Sequence, residues 1–258
     1  MSRACDFEVR RFAELGSTNT YLLEQARAGA PEGVVAVADH QTEGRGRLGR
    51  SWEAPPGGSL LVSVLLRPTL GPGDLHLCPA LVALAAVEAC GQVAGVHPSV
   101  KWPNDLLIDG RKVAGVLAEA DPDAPGGDPG AVAVVVGLGC NLSWPGPDPK
   151  RSTSLDAAAG RPVDGERLLA TLLNGVAARR RALDSAPGRS SLAGELEARC
   201  ETVGQEVRVD LARSSFVGKA VGLTSSGHLV VETTEGPRTV AAGDVVHLRS
   251  PGDGGGAN

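Results

Sequence analysis

Residues 44–52, Gly-Arg-Gly-Arg-Leu-Gly-Arg-Ser-Trp, alternate glycine with arginine and end on one of three tryptophans. Glycine opens backbone conformations closed to other residues and lets a ligand come close. Arginine offers a planar fork of donors that matches phosphate and carboxylate. Together they describe a cationic loop able to fold over an anion. Gly44, Gly46 and Gly49 also fit the G-x-G-x-x-G spacing of a dinucleotide site, and residues 34–38 before them read as a strand. Such a site needs a helix that opens at the third glycine. Here residues 50–58 follow, and the pairs Pro55-Pro56 and Gly57-Gly58 exclude a helix.

A second constellation is Lys101-Trp102-Pro103-Asn104-Asp105. Pro103 disfavours helix and fixes a turn, which crowds an ammonium, an indole, an amide and a carboxylate onto one bend. That set suits a nucleotide: Lys101 for phosphate, Asp105 for Mg²⁺, and an aromatic wall. Trp102 taken alone reads as a plug in the core. Lys112 stands just after the Asp109-Gly110 turn, at the head of an apolar strand. By itself it reads as a solvated edge lysine; the neighbouring motifs give it chemical weight.

The elements that must position these groups are legible in part. Ser17 or Thr18 caps a helix that runs to about Ala28, where Gly29 and Pro31 stop it. Strands are expected over residues 34–39 and 59–66, and a helix over 77–93 with Pro79 in its first turn. Residues 106–108 and 113–117 pair as a hairpin about Asp109-Gly110. A strand at 131–137 follows a surface loop at 121–130 that is rich in Pro, Gly and Asp. Helices are expected over 168–183 and, after a Pro-Gly-Ser break, 192–200. From residue 204 the pattern becomes short strands at 207–209, 216–220, 228–232, 238–240 and 245–248, the signature of a small antiparallel barrel. Residues 250–258 have almost nothing to bury and read as a disordered tail.

The chain has 258 residues, 42% of them hydrophobic, enough for one large domain plus a small one. Its net charge of -5 argues against a globally basic nucleic-acid binder. Aromatics make up only 3%, so small aliphatics build the core. Cys5, Cys78, Cys90, Cys140 and Cys200 are odd in number and scattered, which reads as buried free thiols in a reducing compartment. No continuously apolar run reaches the roughly 18 residues that span a bilayer. The N-terminus lacks an apolar signal core. A cytoplasmic protein without membrane or nucleic-acid partners is expected.

In order along the chain, Ser17-Thr18-Asn19, Gly44–Arg50 with Trp52, Lys101–Leu106, Lys112–Glu119 and Gly137-Leu138-Gly139-Cys140-Asn141 resemble the signature of biotin–protein ligases, over roughly residues 8–249. The resemblance implies an α+β fold: a mixed sheet flanked by helices in a catalytic domain at 1–202, and a small SH3-like barrel at 203–249. It implies ATP and biotin as substrates with Mg²⁺, activation of biotin to biotinyl-5′-AMP, and transfer to a lysine of the biotin carboxyl carrier domain of an acyl-CoA carboxylase. Both steps place negative charge near the α-phosphate, so positioning and fixed cations should carry the catalysis. By resemblance, Ser17, Thr18, Asn19, Gln41, Gly44, Arg45, Arg47, Trp52, Lys112 and Gly115 contact biotin. Arg47, Arg50, Trp52, Lys101, Asn104, Asp105 and Asn141 contact ATP; Asp105 and Asn141 hold the metal; Lys112, Arg47 and Arg50 carry the catalysis. The barrel is expected to help hold ATP or the carrier.

Two departures matter. Leu48 stands where the family commonly has another arginine, and the chain begins almost at the catalytic region, without room for the helix-turn-helix that some members carry. A monomer or weak homodimer that binds no operator is therefore expected. A lipoate ligase shares the fold and the adenylation chemistry, and the Gly-Arg loop alone would also suit a nonenzymatic nucleic-acid module. The arginine loop together with Lys101–Asp105 favours biotin.

Overall fold

Alternation of side chains decides how the central sheet is covered. In the computed structural model, which describes residues 7–211, 213–241 and 243–248, the elements are β1 (Glu8–Leu15), α1 (Thr18–Arg27), β2 (Val34–Gln41), β3 (Ser59–Leu66), α2 (Leu77–Ala94), β4 (Ser99–Lys101), β5 (Asp105–Ile108), β6 (Arg111–Asp121), β7 (Ala133–Asn141), α3 (Leu155–Ala159), α4 (Gly165–Arg180), α5 (Ala186–Ala198), β8 (Glu206–Asp210), β9 (Ser215–Leu223), β10 (Leu229–Thr233), β11 (Gly236–Val240) and β12 (Asp244–His247). The first seven strands form one sheet in the order β1-β2-β3-β7-β6-β5-β4. Only β1 and β2 run parallel; every other pair is antiparallel.

Val35, Val37, Val62, Val64, Val134 and Val136 pack against α2, α4 and α5 in the main core. Their neighbours Val34, Ala36, Leu65, Ala133 and Val135 turn to the other face, under α1. Period-two alternation thus places a helical layer on each side. Helix α2 lies almost wholly inside, with fourteen of its residues buried. The segment Pro72–Ala94 has the length and hydropathy of a membrane span, but 78% of the relevant window is buried in this fold. Cys78, Cys90, Cys140 and Cys200 are free and buried; burial pushes the Cys78 thiol up to about 12. Cys5 lies outside the described residues, as does the expected tail at 250–258.

Several expectations shift. Strand β1 carries Glu8, Arg10, Arg11 and Glu14 and is half-exposed; those charges suit an edge strand and hide it from a hydrophobic pattern. Strand β7 continues through Gly137 and Gly139, because pairing on both sides outweighs the weak strand propensity of glycine. Helix α5 begins at Ala186, before the Pro-Gly-Ser break rather than after it. Ser185 caps it and Pro187 sits in the first turn, where its missing N–H costs nothing.

The last five strands form an antiparallel sheet in the order β11-β10-β9-β8-β12, consistent with an SH3-like unit. Among the described residues no ladder joins β11 to β12, so the expected barrel is not closed by hydrogen bonds. Strand count and spacing are readable in a sequence, whereas closure depends on tilt and register. The core of this sheet includes Trp102, 3% exposed, which confirms the plug.

At the junction of the two sheets His76 stacks on His228 with ring centroids 4.1 Å apart. Burial, then the neighbouring His228, lowers His76 from 6.5 to about 4, with Asp74 opposing. The unfolded chain therefore binds a proton between these values that the folded chain refuses, and stability falls with pH across that window. We expect the thermal midpoint to drop between pH 6.5 and 4, and His76→Asn to flatten that slope. An equally steep slope in the variant would show that His76 does not drive the fall.

Candidate active site

Three glycines make the floor of a cleft lined by the arginine loop, the Lys101–Asp105 turn and the central sheet. Gly115 on β6 pairs with Gly139 on β7, and Gly137 is two residues away on the same face. A Cβ on Gly139 would lie 2.4 Å from the Trp52 ring, and one on Gly137 would lie 2.4 Å from Asn19 Oδ1. The Trp52 indole rests on this floor, with its buried Nε1 lacking a partner among the described residues. We expect Gly139→Ala to displace Trp52 at a cost of about 1–3 kcal/mol. The readouts are the thermal midpoint and near-UV tryptophan dichroism; no change in either would mean that the indole does not need the bare backbone.

The arginine loop is a small hairpin. Trp52 N–H donates to Gly44 O at 2.9 Å, and Gly46 N–H donates to Arg50 O at 2.7 Å. A side chain on Gly44 would collide with the Trp52 carbonyl, 2.2 Å from its Cβ. Gly44 therefore lets the hairpin close, and it is not among the residues lining the cleft. At the tip Leu48 has φ 57° and is 68% exposed. Positive φ strains a branched side chain.

The hairpin aims its cations into the cleft. Arg47 donates to Asn104 Oδ1 at 3.2 Å and to Gly243 O at 3.1 Å. Burial pulls Arg47 below the usual arginine value while Asp244 and Asp105 oppose; it stays charged. Arg50 pairs with Asp244 Oδ2 at 2.5 Å. Lys112 Nζ lies 2.6 Å from Asp105 Oδ1 and 5.3 Å from the Trp52 ring centre. Far from being a loose edge lysine, Lys112 has its backbone bonded to Arg151 O and Thr153 N. Lys101 lines the same wall.

At the other end Ser17 caps α1. Thr18 N–H and Oγ1 reach Gln41 Oε1 at 2.7 and 2.9 Å. That use of the carbonyl turns the Gln41 amide so that its N–H donors remain for a ligand.

Of the expected contacts, Ser17, Thr18, Asn19, Gln41, Arg45, Arg47, Arg50, Trp52, Lys101, Asn104, Asp105, Lys112 and Gly115 line one cleft, whereas Gly44 and Asn141 do not. Three of these amides are already engaged within the protein. Asn19 is 4% exposed, and its amide is spent on Leu117 O, Glu119 and Ser63. The Asn104 amide donates to Val116 O at 2.8 Å and accepts from Arg47, so it holds the hairpin. Asn141 is 3% exposed and donates to Thr153 O at 2.9 Å, which ties the segment behind Lys112 to β7. Sequence reasoning missed Gly137 and Gly139 as floor, and Ser63, Gly243 and Asp244 as supports. The alternating Gly137-x-Gly139 carried a signal for the first two; the others are brought in by long-range packing.

Residues 12–141 match the Biotin/lipoate A/B protein ligase family and residues 202–248 match the Biotin protein ligase C terminal domain. The chain is 37% identical to the biotin–[acetyl-CoA-carboxylase] ligase of Mycobacterium tuberculosis, over 92% of this chain and 88% of that one. It is 31% identical to the bifunctional ligase/repressor BirA of Bacillus subtilis, over 90% and 71% respectively. The solved structure of the Aquifex aeolicus biotin protein ligase in complex with biotin and ATP superposes with a TM-score of 0.78 at 29% identity, covering 94% of this chain and 99% of that one.

Proposed function

The chain belongs to the biotin/lipoate A/B protein ligase family, and we propose that its cleft performs both half-reactions of an ATP-dependent biotin–protein ligase. In the first, a carboxylate oxygen of biotin attacks the α-phosphorus of ATP. The bond to the β-phosphate oxygen breaks, diphosphate leaves, and biotinyl-5′-AMP forms. In the second, a lysine amine of the carrier attacks the acyl carbon; AMP leaves and an amide remains.

The observation that carries this reading is the convergence of Arg47, Arg50, Lys101 and Lys112 on one end of a glycine-floored cleft whose other end is lined by Ser17, Thr18 and Gln41. Gln41 N–H and Ser17 Oγ suit the ureido ring of biotin, which both donates and accepts. Bare glycines let Trp52 and Lys112 lie close against the sheet beside the ligand. Lys112 and Arg47 face the reacting carboxylate and α-phosphate, where preorganised cations stabilise developing charge. Trp52 covers the joint between the two substrates.

Asp105 fits a Mg²⁺ that arrives on the phosphates of ATP, since this ion keeps several waters and needs few protein carboxylates. Bound there, it would neutralise phosphate charge. Asn141, buried on Thr153, does not fit as a ligand, and among the described residues no group of three acidic, histidine or cysteine side chains stands ready for a metal. The acceptor is a biotin carboxyl carrier domain of an acyl-CoA carboxylase. Buried free thiols fit a cytoplasmic setting, and monomer or weak homodimer is the assembly we assign.

The test is ATP–diphosphate exchange with biotin and, separately, with lipoate. Exchange with biotin alone is expected. Exchange with lipoate alone would assign the chain to the other branch of the family, and retention of nucleic acid without any exchange would favour a binding module.

A further inference from the structure

Asn19 lines the cleft with both ends of its amide engaged inside the protein. Its Oδ1 accepts from Ser63 Oγ at 2.6 Å, and its Nδ2 donates to Leu117 O at 3.2 Å and Glu119 Oε2 at 2.9 Å. Ser63 is fully buried, and Asn19 nearly so. A buried amide with every group matched is held rigidly, because each broken bond would leave an unsatisfied polar atom. The Glu119 carboxylate is thus fixed from inside the protein.

The same Glu119 oxygen accepts from Arg45 at 3.0 Å, and that guanidinium nitrogen also donates to Thr20 Oγ1 at 3.0 Å. Arg45 lines both the cleft and the adjoining cavity, whereas Glu119 lines the cavity and not the cleft. The carboxylate therefore holds Arg45 from outside the cleft. A charge-assisted pair of this kind fixes direction as well as distance.

We propose that Glu119 is a positioning residue: anchored by the buried Ser63–Asn19 pair, it sets the orientation in which Arg45 meets biotin at the mouth of the cleft. This rests on the biotin-ligase reading above. The rival arrangement is a carboxylate that competes with substrate for Arg45. The two differ in sign. Loss of a positioning carboxylate weakens biotin binding, and loss of a competitor tightens it.

The experiment is steady-state ATP–diphosphate exchange with the full chain for Glu119→Gln, Arg45→Ala and the double variant. Glu119→Gln keeps an acceptor for Asn19, so the core stays matched. It is expected to raise the KM for biotin about tenfold, within the range of coupled contacting pairs, with kcat and the KM for ATP close to the parent. The double variant is expected to be no worse than Arg45→Ala alone. Thr20→Val, at an exposed position, removes the second acceptor and should shift the biotin KM in the same direction. An unchanged or lower biotin KM in Glu119→Gln overturns the proposal. Additive losses in the double variant, with kcat and the KM for ATP also impaired, would make Glu119 merely structural and overturn it too. A parent without biotin-dependent exchange would instead refute the function itself.

Discussion

Lys112→Ala is expected to fold as the parent does and to lose roughly 10²–10³ of its biotin-dependent exchange rate, the usual cost of removing one electrostatic contact to a transition state. The fold should survive because the backbone of Lys112, not its side chain, joins β6 to Arg151 and Thr153. Its ammonium is 34% exposed and Asp105 is 26% exposed, so water can solvate the carboxylate left behind. A screened pair of this kind adds little stability, on the order of 0–1 kcal/mol. The same ammonium is pre-placed beside Trp52 and above the glycine floor, where the proposed adenylation develops charge. Lys112→Arg should recover only part of the rate, since a guanidinium is planar where the site presents room for a point charge. Exchange in the alanine variant within about twofold of the parent would return Lys112 to the role of a surface lysine.

The second large effect concerns the C-terminal sheet. Removal of residues 203–258 is expected to abolish exchange, for two separable reasons. Trp102 would lose the apolar cluster formed with Val207, Val209, Ala220 and Leu229, and uncovering so large a side chain costs about 3–5 kcal/mol. Trp102 adjoins Lys101 and Asn104, so the nucleotide-facing turn would lose its anchor. The hairpin would also lose Gly243 and Asp244, which receive Arg47 and Arg50. Asp244→Ala isolates the second cause: it should keep the thermal midpoint within a few degrees and lower the exchange rate severalfold, because a half-exposed ion pair contributes on the order of 1 kcal/mol. A truncated chain that exchanges at the parental rate would show that the catalytic sheet needs neither support.

Where local chemistry decides structure, the sequence is a good guide. Ser17 caps α1 as its type requires, β3 spans Ser59–Leu66 as its apolar run implies, and Asp109 with Gly110 makes the hairpin turn at positive φ. Where pairing over long distances decides, it is not. That Gly115 lies across from Gly139 follows from the β6–β7 register. The partners of Arg47 and Arg50 come from about 195 residues away in the chain, and no motif encodes that meeting. The site residues were legible as chemical types, but not the intramolecular partners of the amides of Asn19, Asn104 and Asn141. An amide's type says that it will bond, not to whom.

The most direct test of the account is transfer itself. The parent protein is incubated with ATP, Mg²⁺, biotin and an apo biotin carboxyl carrier domain, and the carrier is analysed by intact mass and peptide mapping. The account predicts one biotinyl group on a single lysine of the carrier, dependent on ATP and absent when lipoate replaces biotin. A carrier whose mass is unchanged, or which gains a lipoyl group instead, would contradict it.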